Sequence, residues 1–457
     1  MNWKLYCLLT LSGSSLALTA CSVGDDDDSV RADDDDDVVG IDGLECSAAG
    51  LDIDGDGSDD TLCVLQGTYL DDLHLTADFF YLLRGGVFVG DDASATSLTI
   101  DPGVTLFGET STDGMLVVRR NAKIFANGQS DNPVVFTSSA SPGQRARGDW
   151  GGVIINGKAP INACDQDGEA DCEAFGEGGT GWYGGDDPND DSGVLNFVRI
   201  EFAGTLVSPD NELNGLALQG VGAGTEIDGI QVHMNADDGI EFFGGTATAK
   251  HLVLSGVGDD CLDWTDGWQG KVQFVVAQQW ADNGDNGIEA DNSGENNDLE
   301  PRSAPTISHV TLVGVDGGAN SDVGILLREG TAGDLSNVVV TGFADACLAV
   351  DHDATHAQAD AGALTLTHSV LDCATPFAAG DFDVQAWFEG QTGNETGDPG
   401  LVDAANTTTP DFSATAGGAA AMGGAAPADP FFDDVAFRGA VGPNDNWLAG
   451  WTAFPPN

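Results

Sequence analysis

The chain has 457 residues and a net charge of −60, from 75 Asp and Glu against 15 Lys and Arg; such a surface repels nucleic acid and anionic lipid and excludes a nucleic-acid partner. Its 64 Gly beside 4 Met, with Val, Leu, Ile and Thr abundant, argue against long helices and for many short strands joined by tight turns. The length suits two or three ordinary domains or one long solenoid, and the charge fits either halophile-like solubility or a calcium-rich surface.

The first element is the N-terminal "MNWKLYCLLTLSGSSLALTAC". One lysine, an apolar stretch too short to span a bilayer comfortably and a small-residue end make residues 1–20 an export signal. Leu18-Thr19-Ala20-Cys21 resembles a bacterial lipobox, which implies cleavage before Cys21, diacylglycerol on its sulfur and a membrane tie through that lipid. Ser22 is similar to the residue that permits sorting to the outer membrane, so an exported outer-membrane lipoprotein at the cell surface is expected. Residues 21–43 hold two aspartate runs, "DDDD" and "DDDDD", whose self-repulsion predicts a disordered acidic tether reaching up to roughly 60 Å.

Residues 44–68 form a small acidic segment bounded by Cys46 and Cys63. Asp52, Asp54, Asp56 and Asp60, with Gly57, follow the spacing in which alternate carboxylates wrap a hard cation. The pattern resembles calcium loops but lacks a closing bidentate Glu, and an acidic turn pinned by a Cys46–Cys63 disulfide is the alternative.

From Tyr69 the chain becomes short alternating apolar segments such as "GGVFVG", "SLTIDPGVTLFG" and "NPVVFTSS", which predict strands. A small residue followed by an apolar one recurs at Gly215-Leu216, Gly239-Ile240, Cys261-Leu262, Gly287-Ile288, Gly324-Ile325 and Cys347-Leu348, in steps of 24, 22, 26, 37 and 23 residues. A period in the twenties without intervening helices predicts an all-β solenoid, a parallel β-helix over 69–412, each turn burying its apolar face on its neighbours. At this period about 13 coils would stack at 4.8 Å each. Residues 413–457 read as Gly/Ala-rich coil, ending in "WLAGWT", which is expected to cap the open end.

"GDWGGVIINGKAPIN", "GVLNFVRIEFAG", "NELNGLALQGVGAGTEIDGIQVHMNADDGIEFFGG" and "FRGAVGPNDNWLAGWT" resemble an uncharacterised family of secreted bacterial β-helix proteins with the pectin-lyase-like fold. The resemblance runs from about residue 69 to the end. It implies a right-handed β-helix and a surface location, and it carries no established reaction.

Coil spacing also sorts the cysteines. Cys347 and Cys373 are 26 residues apart, one coil, within disulfide reach. Cys164 and Cys172 flank an acidic loop and are expected to close it. Cys261 shares the column of Cys347 three coils away, too far to bridge, and reads as a buried thiol in a glycine-sized slot.

With Ile240, Leu262 and Ile288 inward, alternation sends Glu241, Asp263 and Glu289 outward, one above another. Asp237, Asp238, Asp259, Asp260 and Asp285 precede them; Asp266 and Asp291 follow. Three outcomes stay open: solvated carboxylates with turn aspartates capping the backbone, a calcium site between coils with Glu241, Asp263 and Glu289 as ligands, or paired-carboxylate catalysis. Arg328 stands one coil after Asp291. β-Helix polysaccharide lyases use calcium to neutralise a uronate and Arg or Lys as base, which makes Asp263, Glu289, Asp291 and Arg328 a conceivable catalytic set. A structural salt bridge from Arg328 to Asp291 or Glu329 is the alternative.

The 37-residue step leaves Asn292–Pro305 as a loop beside the stripe, with Trp264, Trp268 and Trp280 near it as rings that could stack on sugars, though Trp264 alternates inward and reads as core. "DHDATH" places His352 and His356 with Asp351 and Asp353, a loop-like spacing that could hold zinc. Three functions follow as expectations: a calcium-stabilised surface that binds polysaccharide, matrix or other cells; a lyase or glycoside hydrolase on the acidic stripe; or a structural surface component.

Overall fold

The computed structural model describes residues 44–455 apart from 52, 54–57, 165–171, 209–210, 317 and 319. Cys21, the signal, the tether, and Asp52, Asp54 and Asp56 of the acidic loop lie outside the described residues. The described residues all fall within one unit, Gly40–Asn457.

Alternation sets the strands. In Ser97–Ile100, for example, Leu98 and Ile100 are buried while Ser97 and Thr99 stay partly exposed, and each inward side chain finds its partners in the coils above and below. Twenty-five strands join one continuous sheet. It winds as a parallel β-helix with three strand columns per coil.

The second column carries Leu216, Ile240, Leu262, Ile288, Ile325 and Leu348 in direct register. The periodic small-apolar pairs thus stack as expected, and the 37-residue step is a single coil with an insertion. Outward residues of the same strands form a parallel register of Val117, Ile154, Ala217, Glu241, Asp263, Glu289, Leu326 and Ala349. The column is ten strands deep rather than thirteen, because residues 157–192 and 398–455 form insertions and a tail instead of coils.

Third-column and first-column strands are continuous through a sharp corner. Phe197, Gly229, His251, Phe274, His309, Asn337 and His368 occupy it in successive coils, with φ between 47° and 76°. This left-handed conformation suits glycine and is tolerated by Asn and His; the large side chains there stack instead, as His251 on Phe274 with centroids 5.1 Å apart.

The interior is one long apolar cluster that includes Trp150, Trp264 and Trp268. Trp264 is core, as its alternation requires, and donates Nε1 to Thr331 Oγ1 at 3.1 Å. Trp268 is also fully buried, stacked on Phe242 at 4.0 Å; it offers no ring to a sugar, which corrects the expectation for that residue. Trp268→Ala is expected to cost about 3–5 kcal/mol, the usual penalty for a buried Trp deletion. A thermal melt followed by circular dichroism checks it, and an unchanged midpoint contradicts it.

All three expected disulfides are present, Cys46–Cys63, Cys164–Cys172 and Cys347–Cys373, with Cα separations of 4.0, 5.0 and 5.5 Å. Cys261 is a buried free thiol. The antiparallel pair Glu45–Leu51 and Asp60–Tyr69 lies at the N-terminal end of the helix.

Two expectations are corrected at the other end. Asp353–Ala361 is an α-helix, not a loop. The helix Val384–Glu389, through Val384 and Phe388, packs into the end of the core, so "WLAGWT" is not the end cap. The tail instead turns back along the flank: Trp451, Leu448 and Val441 pack on Val253, Val276 and Val313, several coils before the end.

Candidate metal centre

The outer face of the second column is apolar at its upper coils. There the inserted hairpin Ala174–Gly176 and Gly181–Tyr183 covers it, with Ala174 and Tyr183 packing on Ile154, Ala217 and Phe243. Immediately below, the outward residue becomes Glu241, then Asp263, then Glu289. The expected acidic stripe exists, but it is sealed: Glu241 and Asp263 are each 8% exposed. The solvated reading fails for these two residues.

The turns entering the strands complete the cluster. Asp238 Oδ1 accepts from the backbone N–H of Asp260 at 3.0 Å, and Asp260 Oδ1 accepts from that of Asn286 at 2.7 Å. One oxygen of each turn aspartate therefore ties coil to coil, and the rest of the carboxylate is left for its neighbours. Asp238, Glu241 and Asp263 bring an oxygen each within 4.8 Å of one another, all three buried; Asp237, Asp238 and Asp259 form a second such group and Asp259, Asp260 and Asp285 a third.

Burial, then mutual repulsion, pushes Asp238, Glu241, Asp260 and Asp263 well above the usual carboxylate range. The same causes push Asp237 up to about 7 and Asp285 to about 6. Like charges this close and dry require a proton or a cation between them. Asp263 Oδ1 is buried with no hydrogen-bond partner. Asn214 donates Nδ2 to Glu241 Oε2 at 2.5 Å while its own Oδ1 is equally orphaned. Orphaned oxygens converging on an all-oxygen carboxylate set match what a hard divalent ion requires. These clusters of buried acidic residues can hold a metal ion.

Glu289 departs from the expected ligand set. Arg328 bonds its carboxylate through an Nη2–Oε1 contact and also grips Asp291, with Nε 3.0 Å from Oδ1. Burial still leads, so Glu289 sits at about 7 and Asp291 at about 6, with Arg328 pulling both down. The pairing of Arg328 with Asp291 is the structural salt bridge. Held between two carboxylates, the guanidinium stays charged and is unsuited to act as a base. The structure thus brings Glu289, Asp291 and Arg328 together one coil from Asp263, with Glu289 in register beside it and adding its charge to the buried cluster.

Asp60 accepts from the Ile53 amide at 2.5 Å. His356 stacks on Phe382 at 4.9 Å and its Nε2 lies 3.2 Å from Val350 O, while His352 Nδ1 accepts from the Glu329 amide; the two rings serve different partners. Trp280 lines a cleft of about 770 Å³ with Asp316, Asp372, Asp398 and Asp403.

Sequence reasoning treated Asp238 only as a turn residue and missed Asn214. Both were within reach, since Asn214, Asp238, Asp260 and Asn286 each precede the small residue of the repeat. Glu177, a charge acting on Glu241, comes from an insertion and leaves no periodic signal.

A family model described as a pectate-lyase-like beta helix domain matches residues 67–452. No curated protein and no solved structure matches the chain. With three parallel columns, the stacked register and that match across most of its length, the chain belongs to the pectate-lyase-like β-helix family.

Proposed function

We propose that the protein is an exported, lipid-anchored β-helix that uses calcium as an internal staple and displays an acidic surface to polysaccharide or matrix. The observation that carries it is the buried triad Asp238, Glu241 and Asp263, with Asp263 Oδ1 unpartnered inside it. A catalytic metal needs an open position for substrate, whereas burial of all three carboxylates suits a structural ion. Calcium fits because the donors are oxygens from two adjacent coils, and no His or Cys belongs to any of the three groups. Cys21 would supply the anchor. The polysaccharide part rests on the family and on the half-buried Trp280 at its acidic cleft.

Calorimetric titration of chelator-treated protein with calcium tests the reading. Binding is expected for the wild type and at least tenfold weaker binding for Asp263→Asn. A flat wild-type trace refutes the staple.

A further inference from the structure

The tail lies along the corner where third-column and first-column strands meet, and that corner is built to hold it. Gln231, Gln273 and Asn337 are each fully buried there. Each side-chain amide pairs with both backbone groups of one tail residue: Gln231 with Ala453, at 2.6 and 2.8 Å, Gln273 with Asp433, at 3.0 and 2.8 Å, and Asn337 with Ala425, at 3.0 and 2.8 Å. These clamps read backbone and add to the apolar packing of Val441, Leu448 and Trp451 on the flank, so the tail is held as a strap.

Four of the seven histidines face this strap. His233 Nε2 lies 2.6 Å from Pro455 O, and its Nδ1 lies 2.8 Å from Ser255 Oγ. His251 packs on Trp447 at 4.9 Å, His309 on Phe437 at 5.5 Å, and His368 Nδ1 lies 3.0 Å from Gly423 O. His233 and His309 are fully buried, and the His309 ring faces the tail backbone at Val435 and Phe437, whose carbonyls partly offset its burial. A positive charge on either ring is held out of water between the β-helix flank and the strap that covers it.

We propose that the C-terminal strap is an acid-released cover: charging the histidines beneath it lifts residues 425–455 from the flank while the β-helix stays wound. Burial lowers both His233 and His309 to about 4, and Arg147 and Arg199 add to the effect at His233. At His309 only Asp433 opposes burial with a charge, and Asp228 faces His251 at 2.6 Å. The strapped state binds fewer protons than the released one between these values and the ordinary 6.5, so the strap loosens as pH falls through that window. Carboxylates of the metal centre have raised values and respond oppositely, which lets acid free the strap without unwinding the coils. The ion pairs Lys250–Asp433, Lys271–Asp429 and Arg438–Glu395 also tie the strap, so the test must separate histidine from carboxylate titration.

Hydrogen exchange read by mass spectrometry on the full chain at pH 7 and pH 4, corrected for intrinsic rates, provides that separation. Segments within 425–455 are expected to gain at least tenfold in exchange at pH 4, while those within 236–266 do not. The double variant His233→Gln, His309→Gln, which cannot take the charge, is expected to stay strapped at pH 4. Full protection of the strap in the wild type at pH 4 overturns the proposal, as does loosening of strap and coils together or release of the double variant like the wild type. Should the double variant not fold, the single variants His233→Gln and His309→Gln decide in its place: each is expected to keep more of the strap's protection at pH 4 than the wild type, and release of both like the wild type overturns the proposal.

Discussion

Without calcium, the melting temperature of the β-helix is expected to fall as pH rises from 5 to 8, and calcium is expected to remove that fall. The sign follows from raised carboxylates. Asp237 and Glu289 sit at about 7 and Asp285 and Asp291 at about 6 in the folded protein, against about 4 when unfolded. Between those values the folded state binds more protons, so the stability they contribute is whole below pH 4 and is lost as pH climbs through 7. One group raised by two to three units is linked to about 3 kcal/mol; neighbouring carboxylates share the effect, so the sum is smaller than separate groups would give. For a chain of this size about 3 kcal/mol corresponds to roughly 4 °C. Calcium replaces the protons and adds about 2.7 kcal/mol at a hundredfold excess over its Kd. Asp263→Asn removes one buried charge, so its calcium-free melting temperature at pH 8 should exceed that of the wild type while its gain from calcium shrinks. A wild-type midpoint that ignores pH in the absence of calcium would show that the carboxylates are not confined as described.

The winding was legible because it repeats. Ile240, Leu262 and Ile288 announce one column, and the spacing survives even the insertion that carries Asn292 to Pro305, since the next coil must restore its apolar partner at Ile325. One-coil spacing likewise paired Cys347 with Cys373. What periodicity cannot show is what lies over a strand. Glu241 and Asp263 alternate outward correctly, yet both are buried, and one of the charges acting on Glu241, Glu177, comes from an insertion that belongs to no repeat. The tail was misplaced for a related reason: its partners Gln231, Gln273 and Asn337 are polar, stand two coils apart from one another in succession, and face outward at a corner, so nothing in an apolar pattern marks them as a receptor for backbone. The helix at Asp353–Ala361 escaped notice because it follows His352 at a corner with φ of 68° and has little apolar periodicity.

Arg328→Ala is expected to lower stability by about 2–4 kcal/mol at pH 8 and by little at pH 5. Removing one partner of a buried ion pair strands the other, and here it strands two carboxylates. Their side chains are 13% and 10% exposed, while Arg328 itself is 33% exposed, which places the cost below that of a fully buried arginine. At pH 5 Glu289 and Asp291 take up protons, and the loss of the cation matters less. Arg328→Lys keeps the charge but not the fork that reaches both carboxylates, so it should fall between the two. Melts at both pH values measure this directly. The same variant bears on the catalytic reading: were Arg328 the base of a lyase, the wild type with calcium would generate 235 nm absorbance from a uronate polymer and Arg328→Ala would abolish it at pH 5 as well as pH 8. An arginine held by Glu289 and Asp291 has no room to lose a proton, so neither protein is expected to produce that signal, and the effect of the substitution should be confined to stability.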